Sequence, residues 1–199
     1  ETERLHIGEW MPELAETLCR LSQNEDNRLF LPDEVFETVE AAQTAISEWI
    51  SNRRAGTGMQ SCPVFQKGGP CIGHVALCPL EDWDEEAWEI EYHVAEKFRG
   101  HNYATEAVRA FLSTITAQLS VKQLRGICPE DNHASRRVLE QCGFEKYRES
   151  AFGKLPVPRD RPWKGCASGG GCGSGHYARS APRRPFRAHD HNRAQHAAH

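Results

Sequence analysis

The stretch from residue 87 to residue 129 constrains the fold more than any other. In AWEIEYHV, residues 87–94, Trp88, Ile90, Tyr92 and Val94 alternate with Glu89, Glu91 and His93. That is the period of a β-strand, here with one acidic face. It leads into RGHNYATEAV, residues 99–108, a glycine-containing loop that becomes an amphipathic helix through Val108, Phe111, Leu112, Ile115 and Leu119. QLRGICP follows as a short strand. Strand, glycine loop, helix and strand in that order predict a mixed α/β fold.

The remaining pattern is consistent with one such domain. TERLHI alternates as a short half-buried strand, and residues 12–22 read as a helix with Pro12 at its first position and Leu14, Leu18 and Leu21 on one face. NEDNRLFLPDE breaks that pattern. A second helix over residues 37–53 places Val39, Ala42, Ile46, Trp49 and Ile50 together. CPVFQKGGPCIGHVAL is a hairpin turning at Gly68, Gly69 and Pro70, with Pro63 marking an edge strand. A last helix through ASRRVLEQC starts after Asn132 and stops at Gly143, and FEKYRES forms one more strand.

No apolar run approaches the ~20 residues that span a bilayer, and the N-terminus lacks a signal-peptide layout, so a soluble cytoplasmic protein is expected. The eight cysteines include Cys19, Cys78, Cys128 and Cys142, set singly in apolar segments, which favours reduced, buried thiols over a disulfide framework. The net charge of −4 hides an asymmetry. Residues 151–199 hold nine Lys/Arg and two Asp, net +7, against 15 Lys/Arg and 26 Asp/Glu, net −11, in residues 1–150. The expected organisation is a folded domain over residues 1–150 and a low-complexity basic tail, rich in Gly, Arg and His, expected to be disordered over residues 151–199. Cys166, Cys172 and His176 match no zinc spacing and no metal site is expected; without a folded basic motif, nucleic acid is not an expected partner either.

A strand, a tight loop and a helix start leave backbone N–H groups converging on one spot, backed by the positive end of the helix dipole. Phosphate suits such a spot. Gly100 lets a ligand approach the backbone, Asn102 tolerates the left-handed conformation, and Arg99 adds a cation. By these features alone, the loop reads as a plain connection more readily than as a ligand site.

RGHNYATEA after an acidic strand, followed by NHASRRVLEQCGFEKY, resembles the GCN5-related N-acetyltransferase (GNAT) superfamily, and within it the ribosomal-protein N-terminal acetyltransferases of the RimJ and RimL type. The resemblance covers nearly all of residues 2–150. The superfamily's pyrophosphate loop reads Gln or Arg, two residues, Gly, one residue, then Gly or Ala; Arg99, Asn102 and Ala104 occupy those positions, with Asn102 departing from the usual glycine. The resemblance implies acetyl-coenzyme A bound where two central strands splay apart. Arg99, Gly100, His101, Asn102, Tyr103, Ala104 and Thr105 would hold its pyrophosphate. His101 receives no catalytic role.

Acetyl transfer to an amine needs a neutral nitrogen, and hence a base, because alkyl amines with pKa near ~10 are mostly protonated at neutral pH. Glu91 is the leading candidate and His93 the second, with ordinary solvated strand residues as the alternative. Backbone N–H groups near Val94 are expected to stabilise the thioester oxygen. The superfamily's tyrosine in the last helix is replaced by Leu139. The ribosomal-type members imply instead that Asn132 holds the pantetheine arm and Ser135 lies near the sulfur, both counted with Glu91 in the catalytic set. Asn132 also suits a helix cap, and Ser135 a bond within the first turn.

The expected partner is an amine-bearing molecule: a protein N-terminus, a polyamine or an aminoglycoside-like compound. The acidic run Glu81, Asp82, Asp84, Glu85 and Glu86 would attract it. A homodimer is left open. The rival function is a non-catalytic coenzyme A-binding or interaction module. Superfamily members end with a further apolar strand, and none is evident after Ser150.

Overall fold

The computed structural model describes residues 1–80, 87–119, 121–129, 131–151 and 173–180. Seven strands appear: β1 (Leu5–Ile7), β2 (Gln60–Gln66), β3 (Cys71–Leu80), β4 (Ala87–Val94), β5 (Gln123–Pro129), β6 (Glu145–Ala151) and β7 (Gly173–Ser180). The α-helices are α1 (Ala15–Ser22), α2 (Glu25–Phe30), α3 (Val39–Ala55), α4 (Tyr103–Gln118) and α5 (His133–Gln141). All strands join one sheet in the order β1-β2-β3-β4-β5-β7-β6. Neighbours pair antiparallel except β4 and β5, which α4 connects as a parallel crossover.

Alternation along the strands builds a core on each face. On one side Val75, Leu77, Ile90 and Leu124 pack with Val108, Phe111, Leu112 and Ile115 of α4 and Leu139 of α5. On the other, Ala76 and Cys78 meet Leu18 of α1, Ala42, Ile46 and Trp49 of α3, and Trp10. Two glycines set backbone spacing. A Cβ on Gly126 would stand 2.5 Å from Leu139 Cδ2, so its absence lets α5 settle on β5. At Gly73 the same atom would stand 1.9 Å from the His93 carbonyl oxygen, so β3 and β4 meet there with no room for a side chain.

The mixed α/β fold matches the expectation, with four local corrections. NEDNRLF does not simply break a helix. It forms α2, because Asn24 accepts from the Asn27 N–H and Glu25 and Asp26 occupy the positive first turn. Pro63 is not on an edge strand, since β2 lies between β1 and β3; β1 is only three residues long and its paired register ends at Val64, so Pro63 has no strand N–H to supply there. Val39 lies at the start of α3 and stays exposed, while Ala42, Ile46 and Trp49 are buried. Finally, the sheet does not stop at Ser150. Gly173–Ser180 supplies a last strand that pairs with β5 along Gln123–Pro129 and with β6 on its other edge. GSGHYARS has no Leu, Ile or Val and so carries no apolar strand pattern; its pairing with β5 and β6 places it.

Six cysteines, Cys19, Cys62, Cys71, Cys78, Cys128 and Cys142, are free and buried, in keeping with reduced thiols. Cys166, Cys172 and the acidic run at residues 81–86 lie outside the described residues, as does the expected disorder of residues 152–172 and 181–199.

Candidate active site

β4 and β5 pair only at Ala87–Gln123, Trp88–Leu124 and Glu89–Arg125. Beyond Glu89 the two strands separate, and a cavity of about 450 Å³ opens between them, bordered by the loop before α4, the start of α5, and α2. The Ala95 N–H donates to the Ile72 carbonyl at 2.8 Å, which makes Gly73 and Val94 the next, non-hydrogen-bonded pair. By antiparallel alternation the N–H and C=O of Val94 therefore point away from β3 and toward the splay. The carbonyl confirms it by accepting from Arg99 Nε at 2.9 Å.

The loop reaches the cavity in the conformation its residues favour. Gly100 has φ 78° and Asn102 φ 65°, the one non-glycine residue with positive φ among those described. Held left-handed, Asn102 gives no side-chain cap to α4, so the first N–H groups of that helix remain available to a ligand. Asn102, Tyr103, Ala104 and Thr105 all border the cavity. Their side chains face other work. Thr105 Oγ1 donates to Gln141 Oε1 at 2.9 Å, Tyr103 Oη accepts from Gln66 at 3.0 Å, and exposed His101 stacks on Tyr103. Arg99 borders the cavity too, but its Nη1 pairs with Asp26 of α2. The loop thus offers backbone and dipole more than side chains.

The acidic face of β4 is not a solvated surface. Glu89 and His93 are each 5 % exposed, and Glu91 is half-buried. Across β3, His74 Nε2 lies 2.9 Å from Glu34 Oε2 in a buried ion pair. Burial raises the Glu34 carboxyl, but the charge and hydrogen bond of His74 outweigh it and bring it down to about 2. Glu91 hydrogen-bonds Glu34 and is raised well above the usual range, first by burial and then by the negative charge of Glu34. Two carboxyls in contact share a proton, and Glu91 carries it. Burial pushes Glu89 up to about 8, against a hydrogen bond from the Ile127 N–H across the splay. His93 falls to about 3, again by burial first and then by the charge of His74, and is a neutral imidazole.

Glu89 makes stability depend on pH. Its folded carboxyl holds a proton far more tightly than its unfolded one, so the stabilisation is full below about pH 4.5 and is lost as pH rises toward about 8. The melting temperature is expected to fall between pH 5 and pH 8, and Glu89→Gln to melt higher at pH 8 with a shallower slope. Thermal denaturation across that window checks this; a Glu89→Gln slope as steep as that of the native chain contradicts it.

At the opposite wall, Asn132 Oδ1 accepts the Ser135 N–H at 3.0 Å, so Asn132 caps α5 as its residue type allows, with its amide N–H groups left over. Ser135 Oγ lies 2.9 Å from Tyr92 Oη, which also donates to the Ser135 carbonyl at 3.0 Å. Leu139 stands at the cavity and carries no hydroxyl. The expected residues Glu91, Val94, Arg99, Gly100, Asn102, Tyr103, Ala104, Thr105, Asn132 and Ser135 all border this one cavity, and His101 alone among them does not. Sequence reasoning missed Glu34, His74 and Tyr92. Tyr92 was legible as a polar-tipped residue within an apolar row; the Glu34–His74 pair, 40 residues apart, left no local signal.

Residues 4–145 match the acetyltransferase (GNAT) domain, and the chain belongs to that family of acetyltransferase enzymes. Among solved structures it resembles a GNAT-family acetyltransferase from Bacillus anthracis, at 21% identity over 91% of this chain and 97% of that one, TM-score 0.67. It also resembles RimL, a ribosomal L7/L12 alpha-N-protein acetyltransferase in complex with coenzyme A, at 16% identity over 90% and 95%, TM-score 0.72. A ribosomal-protein-S5-alanine acetyltransferase from Vibrio fischeri shares 14% identity over 91% and 95%, TM-score 0.73. No curated protein matches the chain by sequence.

Proposed function

We propose that this chain transfers the acetyl group of acetyl-coenzyme A to a primary amine, a protein N-terminus in the first instance, by direct attack within a ternary complex. One observation carries the reading: the strand splay and the uncapped N-terminus of α4 open onto the same cavity. The loop from Arg99 to Thr105 holds the pyrophosphate through its backbone N–H groups. The spare amide of Asn132 holds the pantetheine arm, and the thioester lies between β4 and β5.

The amine attacks the thioester carbonyl, the C–N bond forms, and the developing oxyanion meets the Val94 N–H. Glu91 first gives its resting proton to solvent and then takes the amine's surplus proton, and Ser135 faces the departing sulfur. Protein N-termini suit this base better than lysine side chains do, because an α-amino group of pKa ~8 is more often neutral at pH 7. The name of RimL and that of the S5-alanine enzyme support the same acceptor. The six buried free cysteines favour a reducing compartment, the cytoplasm. No described helix is long and apolar enough to cross a membrane.

Calorimetric titration of acetyl-coenzyme A into the native chain, Asn102→Gly and Asn102→Val tests the site. The native chain and Asn102→Gly are expected to bind alike. Asn102→Val is expected to bind about tenfold more weakly, because the left-handed conformation that Asn and Gly tolerate costs a β-branched residue ~1–2 kcal/mol. Absence of binding in all three sinks the reading. Binding without thiol release on a panel of amines and N-terminal peptides selects the non-catalytic module instead, which the resting proton on Glu91 favours.

A further inference from the structure

We infer that Tyr92 positions the Ser135 hydroxyl toward the leaving sulfur, so that the donor expected from one residue of the last helix is divided here between β4 and α5. The inference rests on the acetyltransferase reading above and names a residue of that same site.

The departing sulfur takes the C–S electron pair and needs a hydrogen-bond donor. Leu139 supplies none, and it is held against Gly126 with 1 % of its surface exposed. Tyr92 enters from the face of β4 opposite Glu91, and both Tyr92 and Ser135 border the cavity. The Ser135 backbone is fixed, since its N–H donates to Asn132 and its carbonyl accepts from Tyr92. What remains adjustable is its hydroxyl, with one proton and two lone pairs.

A carbonyl only accepts, so the Tyr92 O–H is the donor in the bond to the Ser135 carbonyl. The same O–H lies 2.9 Å from Ser135 Oγ and turns to it by rotation about one bond. With Tyr92 donating to Oγ, the serine's own proton is released from Tyr92 and swings into the cavity. As the C–N bond forms and the C–S bond breaks, that proton becomes a hydrogen bond to the sulfur. Neither Ser135 nor Tyr92 loses a proton in the step. The thiolate is protonated by solvent, and the amine's proton goes to Glu91 after that carboxyl has given its own proton to solvent. Tyr92 is thus a positioning residue, and it strengthens the serine donor at the moment charge appears.

The test uses the full chain with Tyr92→Phe, Ser135→Ala and the double variant, measuring thiol release with acetyl-coenzyme A and an N-terminal peptide, and coenzyme affinity by calorimetry. Tyr92→Phe is expected to lose about tenfold in kcat, with KM and Kd for acetyl-coenzyme A within about twofold of native. Ser135→Ala is expected to lose at least as much, and the double variant no more than Ser135→Ala alone, because the tyrosine acts through the serine. Ser135→Ala leaves the ring packing untouched and reads the contact from its other end, so a folding loss in Tyr92→Phe does not hide the result. Native kcat in Tyr92→Phe, a change confined to KM, or losses that multiply in the double variant overturn the inference. A native chain that binds acetyl-coenzyme A without turnover, or does not bind it, overturns the acetyltransferase reading and this inference with it.

Discussion

Gly73→Ala is expected to destabilise the protein by about 3 kcal/mol and to remove measurable acetyl transfer. The added Cβ would stand 1.9 Å from the His93 carbonyl oxygen, 2.9 Å from its carbon and 3.0 Å from Val94 Cα. All three atoms are backbone, so no rotamer change relieves the overlap. β3 and β4 must part at the level where the Val94 N–H is aimed into the cleft. Because the proposed oxyanion donor is displaced as well as the strand, activity falls further than the fraction of unfolded chain explains. Urea denaturation gives the first quantity and thiol release under fully folded conditions the second. A Gly73→Ala chain with native midpoint and native turnover would withdraw Val94 from the proposed chemistry.

His74→Ala should be at least as destabilising, at about 3–5 kcal/mol near neutral pH, because it leaves the Glu34 carboxylate buried without its counter-charge. The pH dependence gives the sharper check. Glu34 is held at about 2 in the folded chain, so its pairing contributes fully above the ordinary carboxylate range and is lost as pH falls through about 2. The gap in stability between native and His74→Ala is therefore expected to be widest near pH 7 and to narrow markedly by pH 3. An equal gap at both pH values would mean that His74 contributes only packing against Trp10 and Trp49, whose rings lie 6.3 and 6.1 Å from its own.

The sequence made the cofactor side of the cleft legible, because that side depends on local backbone. Gly100 and Asn102 announce left-handed positions, Asn132 announces a helix cap, and the alternation of β4 sets which side chains share a face. The acceptor side was less legible. Glu89, Glu91 and His93 were visible as a row, but whether a charged row is wet or buried depends on what covers it. Here Asn24, the cap of α2, places its side-chain amide 3.4 Å from His93 Nε2, and α2 supplies Asp26, which holds Arg99. That helix formed from a segment that reads as a break. β7 shows the converse limit: a strand flanked on both sides takes its hydrogen bonds from β5 and β6 and need not carry an apolar pattern.

The position of β7 also governs when the cleft comes into being. β5, one wall of the splay, pairs with β4 at only three positions and along its whole length with β7, which is made last of all the strands described. A nascent chain that has emerged only as far as β6 has the Arg99–Thr105 loop and both central strands, yet β5 and β6 each face solvent with an open edge, and such edges recruit strands from other chains. Closing the pairing from residue 123 to residue 180 is a long-range step that slows folding relative to the β2–β3 hairpin. Synthesis interrupted ahead of Gly173 therefore yields a sticky, incomplete sheet rather than a smaller working enzyme.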